Sequence, residues 1–116
     1  VKHYMTKTWE EEVDSLEDGI KTILGSSFTN EKERVTSGSN IFLLTFVHKS
    51  GNDKIIFELV NWGQTFIEIS VQKKKSNNPY NIYELVKHSI FSFEQQNEVL
   101  KTIQAYKKGV ELRNLF

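Results

Sequence analysis

Residues 53–71 read DKIIFELVNWGQTFIEISV, and the alternation within them decides the fold. Ile55, Phe57 and Leu59 alternate with Ile56, Glu58 and Val60 before Asn61-Trp62-Gly63-Gln64, and Ile67, Ile69 and Val71 alternate with Phe66, Glu68 and Ser70 after it. A period of two sends successive side chains to opposite faces of a strand. The stretch therefore predicts a hairpin with one continuously apolar face and a second face carrying both glutamates. Asn61 and Gly63 suffice to reverse the chain. Trp62 is superfluous for turning, so it either packs over the sheet edge or a C-terminal helix, or serves as an aromatic anchor for a partner.

Upstream, Ile41–Val47 (IFLLTFV) is a short apolar run rich in β-formers that ends at Lys49-Ser50-Gly51-Asn52-Asp53. It predicts a central strand, giving a three-strand antiparallel meander with turns at 49–53 and 61–64. Ser26–Asn40 is polar and offers one further, exposed edge strand within 27–35, followed by a turn over 36–40. Downstream, Gln72–Pro79 (QKKKSNNP) reads as a solvated connection.

The flanks have helical periodicity. Trp9, Val13, Leu16, Ile20, Ile23 and Leu24 fall on one face of a helix predicted over 8–24, with a Thr8 cap, a Glu three residues on, and Gly25 as the stop. Ile82, Leu85, Val86 and Ile90 predict a second helix. Val99, Ile103, Tyr106 and Val110 predict a third, capped by Ser92 and ending near Lys108 because Gly109 costs a helix roughly 1 kcal/mol relative to Ala. The expected architecture is one α+β domain over 1–116: an N-terminal helix, an antiparallel meander of three to four strands, and two C-terminal helices packed on one sheet face. Ile56, Glu58, Val60, Phe66, Glu68 and Ser70 then lie on the uncovered face. A solvated face does not ordinarily carry Phe66 beside Ile56 and Val60, so it is either overlaid by Tyr83, Phe91 or the chain ends, or is a contact surface.

Composition narrows the function classes. The 116 residues carry 15 basic and 15 acidic side chains and no cysteine, which removes disulfides, thiolate zinc sites and cysteine nucleophiles. No apolar run approaches the roughly 20 residues of a membrane helix and no signal-peptide core opens the chain, so the expectation is a cytoplasmic protein without membrane contact. Val1 fits either loss of an initiator methionine or a start within a longer chain. Net charge is zero but unevenly spread, with six acids against three lysines over 1–24 and eight bases against four acids over 72–116. A neutral chain gives nucleic-acid binding little support.

His3, His48 and His88 have no metal-ligand spacing, and no phosphate cradle, nucleophile elbow or zinc-protease motif occurs. No cofactor or metal is expected. Glu58 and Glu68 are the one carboxylate pair whose alternation makes them neighbours; acid–base work would require a cleft around them, and their ordinary role is as exposed sheet-face residues. Catalysis is thus unsupported, and the expectation is a non-enzyme. Lys73, Lys74, Lys75 and Lys87 with Tyr80 could contact nucleic acid, although a loop lysine run commonly just protects a strand end. The strongest feature is acidic: Glu10, Glu11, Glu12, Asp14, Glu17 and Asp18 put six carboxylates in nine residues opposite the first helix's apolar stripe, with Lys21 the one obvious intrahelical partner. Such a face would steer a basic partner.

The acidic helix WEEEVDSLEDG, the strand pair DKIIFELVNWGQTFIEISV and the helical C-terminus resemble, in size, layout and charge, the small immunity proteins that bacteria make against contact-dependent and other interbacterial toxins. The resemblance implies a stoichiometric inhibitor that covers the active site or another essential surface of a cognate toxin domain, often a nuclease. The expected partner-binding residues, read from the chain itself, are Glu10, Glu11, Asp14, Glu17 and Asp18 for steering and Trp62, Phe66, Glu58 and Glu68 on the hairpin. The alternative is a small regulatory or nucleic-acid-associated domain.

Overall fold

Val13, Leu16, Ile20 and Leu24 form the inner stripe of α1 (Trp9–Leu24), and all four are buried. The structure, a computed structural model, describes residues 9–31, 35–37, 41–62, 64–75, 80 and 82–115, with backbone alone at 9, 10, 35–37, 41, 61, 62 and 64. Gly25 ends α1 as predicted: its φ of 64° lies in the left-handed region that a side chain with a Cβ resists. A single 3₁₀ turn, Gly25–Ser27, then leads into the sheet.

Six strands follow: β1 (Phe28–Asn30), β2 (Val35–Ser37), β3 (Ile41–His48), β4 (Asp53–Trp62), β5 (Gln64–Lys74) and β6 (Tyr83–Ser92), and the chain closes with α2 (Gln96–Arg113). All pairings are antiparallel, in the order β1-β3-β4-β5-β6, with β2 on the other half of β3. The edge strand expected within 27–35 is observed as β1 alone; β2 falls largely where a turn over 36–40 was expected, and pairing with β3 gives the two short strands one shared edge position. Their register changes between them, from Asn30 opposite Phe46 to Val35 opposite Leu43. The predicted meander is present, and its central register places Glu58 directly opposite Glu68.

The helices lie together on one face. Phe42, Leu44 and Phe46 from β3, Ile55, Phe57 and Leu59 from β4, and Ile67, Ile69 and Val71 from β5 meet the α1 stripe and Val99, Ile103 and Val110 of α2 in one core. The alternation read from residues 53–71 is therefore the burial pattern, since the apolar set that points inward is almost wholly excluded from water.

Four expectations are corrected. Residues 83–92 form a strand, not a helix, and the four positions taken as its buried stripe are exposed: Ile82, Leu85, Val86 and Ile90. The cause is a β-bulge. Val71 pairs with Lys87 and Gln72 with Leu85, so Val86 is an extra residue that shifts the alternation by one and leaves a spacing that imitates a helical face. Among the described residues α2 is therefore the only C-terminal helix. Ser92 does not cap it: Ser92 ends β6, Gln95 precedes the helix, and Gln95 Oε1 accepts the Ser92 N–H at 2.9 Å. The helix also runs through Gly109 to Arg113, because burial of Val110 and the anchoring of Arg113 outweigh roughly 1 kcal/mol of glycine propensity. Finally, β5 extends through Gln72–Lys74, where a solvated connection was expected, since β6 supplies a second partner strand.

Candidate functional site

The sheet face turned away from the helices is the open surface of the molecule. The strand registers align its residues in rows across β3, β4, β5 and β6: Leu43-Glu58-Glu68-Ile90 at the centre, Ile41-Val60-Phe66-Ser92 on one side and Thr45-Ile56-Ser70-His88 on the other. Phe66 is 38% exposed and Ile90 59%, whereas Leu43, Ile56 and Glu58 are half-buried. Two carboxylates therefore stand side by side on a mixed face, apolar toward Val60, Phe66 and Ile90, where Val60 is itself buried, and polar toward Thr45, Ser70 and His88.

Directly opposed residues on antiparallel strands have Cβ atoms about 4.5–5.5 Å apart, close enough for like charges to repel. Glu68 has a neighbour that can relieve this, His88, with Nε2 3.3 Å from Glu68 Oε2. Among the described residues Glu58 has no hydrogen-bond or ion-pair partner. One end of the face is closed by a separate group: Lys54 pairs with Glu31 at 3.0 Å, its ammonium lies 4.3 Å from the Tyr83 ring centroid, and the Tyr83 hydroxyl donates to the Gly51 carbonyl at 2.6 Å. Tyr83 thus overlays part of the face, as one expectation had it, while Phe91 points the other way and packs against the core. Phe66, Glu58 and Glu68 stay together on the open part.

The acidic residues of α1 are elsewhere. Glu11, Asp14 and Asp18 lie on its outer side and Glu17 pairs with Lys21 at 2.9 Å; the side chain of Glu10 lies outside the described residues. Because α1 packs on the helix-covered face, this acidic surface and the Glu58–Glu68 surface are on opposite sides of the molecule. The two halves of the expected site are not brought together. Trp62 ends β4, and its side chain, like that of Glu10, lies outside the described residues.

The lysine set does not converge either. Lys73, opposite Asp53 and Glu84, and Lys87, opposite Val71, fall on the helix side, while Lys74 is opposite Tyr83 on the open side. Tyr80 is 81% exposed. Clefts along α2, one bordered by Lys101, Gln104 and Lys108, are on the helix side and include neither sheet-face glutamate.

A buried polar cluster, missed in the sequence, ties the end of α2 to the β3–β4 turn. His48 and Asp53, read as a strand end and a turn residue, are 3% and 1% exposed. The His48 Nδ1 accepts the Ser50 N–H at 3.1 Å and lies 2.9 Å from Ser50 Oγ, while Nε2 faces Glu111 Oε1 at 3.7 Å, beyond hydrogen-bond distance. Asp53 accepts from Arg113 Nη2 and, at 2.8 Å, from Asn114 Nδ2. Local hydrophobicity could not reveal this clasp, because its partners are about 60 residues apart along the chain. No group of three or more histidine, aspartate or glutamate side chains among the described residues is placed to hold a metal ion, and no described helix is long and apolar enough to cross a membrane.

No family model, curated protein or solved structure matches the chain.

Proposed function

We propose that the chain is a non-catalytic binding protein whose open sheet face docks a protein partner. The observation that carries this reading is the exposure of Phe66 and Ile90 around the half-buried Glu58 and Glu68, on the one sheet face that neither helix covers. Exposed aromatic and aliphatic side chains around a few charged groups are what an interface core requires before it is desolvated. In keeping with the resemblance, the partner is a cognate bacterial toxin domain with a basic surface, nuclease domains being the first class to test, and the protein acts in the cytoplasm as its stoichiometric inhibitor. The outer face of α1 then contributes to long-range steering rather than to the contact itself, because charge raises association rates without touching.

The nucleic-acid alternative draws less support, since its lysines are divided between two faces and the open face carries two carboxylates. The test is affinity capture from the source cells with the eluate weighed by native mass spectrometry. A one-to-one complex with a toxin-like chain, weakened by Phe66→Ala or Ile90→Ser, is the expected result. A protein recovered bare or only with nucleic acid, from cells expressing the candidate toxins, would overturn it.

A further inference from the structure

We infer that the partner seated on the open face presents an arginine between Glu58 and Glu68, with apolar side chains to either side of it. This rests on the docking reading above and specifies the chemistry of its occupant. Charge complementarity within a partly apolar surround selects this occupant. The two glutamates are directly opposed, their row is closed by Leu43 and Ile90, the buried Val60 and the partly exposed Phe66 form an apolar border on one side, and Ile56 stands with Thr45, Ser70 and His88 on the other. Glu58 has no partner among the described residues, and Glu68 has only His88.

In the free protein this arrangement is unfavourable, because two like charges face each other where neighbouring side chains limit solvation. A cation placed between them reverses the sign of the interaction. Arginine fits better than lysine: its planar guanidinium offers several N–H donors to two carboxylates at once and is more weakly hydrated, so it is less costly to bring onto a surface bordered by apolar groups. Other occupants conflict with the same geometry. A second copy stacked about a two-fold axis through the pair would set four carboxylates together, and a nucleic acid would bring phosphates onto them.

The experiment is an amide NMR titration of the whole protein with three short blocked peptides, Leu-Arg-Leu-Arg-Leu and its Lys and Glu counterparts, together with melting curves of Glu58→Gln and Glu68→Gln. The arginine peptide should move the amides of residues 56–60 and 66–70, bind more tightly than the lysine peptide, and lose at least tenfold in affinity in the double variant. The glutamate peptide should leave them unmoved. Glu58→Gln should raise the melting temperature, an effect opposite to that of removing a structural ion pair. Shifts centred on residues 11–18, shifts that persist in the double variant, no shifts at all, or concentration-dependent shifts without peptide would each overturn the inference. Its failure is separable from that of the docking reading. If a captured partner binds the double glutamine variant normally but loses Phe66→Ala, docking stands and the arginine seat falls; if it ignores all three substitutions, both fall.

Discussion

Replacing Arg113 by Met should destabilise the protein more than replacing its partner Asp53 by Asn, although both remove one charge from the same pair. The difference follows from burial. Asp53 is 1% exposed and accepts from Arg113 and from Asn114 Nδ2, whereas the Arg113 side chain is 35% exposed. Without the guanidinium, the carboxylate stays out of water with one neutral donor. Breaking a buried pair in this way costs roughly 3–5 kcal/mol. Asn114 still donates and water can enter where the exposed guanidinium stood, which reduces the expected loss to about 2–3 kcal/mol. Asp53→Asn instead leaves a neutral oxygen that can accept from Arg113 and sets its new amide N–H donors against Asn114 Nδ2, while the cation can rehydrate, so its cost is about 1–2 kcal/mol. The double variant should lose less than the sum of the singles, with a coupling of about 1 kcal/mol or more. Urea denaturation with unchanged m-values measures all three, and the Arg113→Met melting point should fall by roughly 10 °C. If Arg113→Met costs no more than Asp53→Asn, the carboxylate is not held as the geometry requires and the anchoring of α2 must be sought elsewhere.

Four further substitutions test the fold. Gly109→Ala should stabilise by about 0.5–1 kcal/mol in denaturant titration, because Gly109 is interior to α2 and an added Cβ would meet no atom within 4 Å; a loss of stability would mean that the helix ends before it. Phe57→Ala should cost about 3–5 kcal/mol, since Phe57 is wholly buried, while Phe66→Ala on the open face should change stability by no more than about 0.5 kcal/mol; similar losses would mean that the open face is covered. Gly25→Ala should destabilise by about 1 kcal/mol through its positive φ, read by thermal melting, and a neutral result would refute the left-handed cap.

The parts of the fold legible in the sequence are those where burial and periodicity coincide. From Ile55 to Leu59 and from Ile67 to Val71 every inward position is apolar and the register between β4 and β5 has no irregularity, so alternation alone yields the hairpin, its faces and the opposition of Glu58 and Glu68. The stripe of α1 is legible for the same reason. What was not legible depends on partners distant in sequence: the His48–Glu111 and Asp53–Arg113 contacts, and the shared edge position of β1 and β2, which needs β3 to define it. The candidate site was half legible. Its membership on the hairpin follows from period two, but the placement of α1 behind the sheet, away from that face, is a matter of packing.

The misreading of residues 82–90 bears on function as well as on fold. The apolar spacing predicts a buried helical stripe only where clustered apolar residues lie inside. The bulge at Val86 gave the spacing its helical appearance, but that condition fails separately, because Leu85, Val86 and Ile90 are 59%, 42% and 59% exposed on an edge strand. An edge strand normally limits such exposure with charge or irregularity, and β6 has both in Lys87 and the bulge. The opposite edge is limited further, by division into two three-residue strands. Retention of large apolar side chains on the longer edge, next to the Glu68 row, extends the apolar field from Phe66 outward to Ile90. Local rules of burial are most often broken where a surface serves something other than stability. Here the break adjoins the like-charge pair on the uncovered face, so two independent departures from a stability-optimised sheet fall on one surface. A partner covering that surface would remove both.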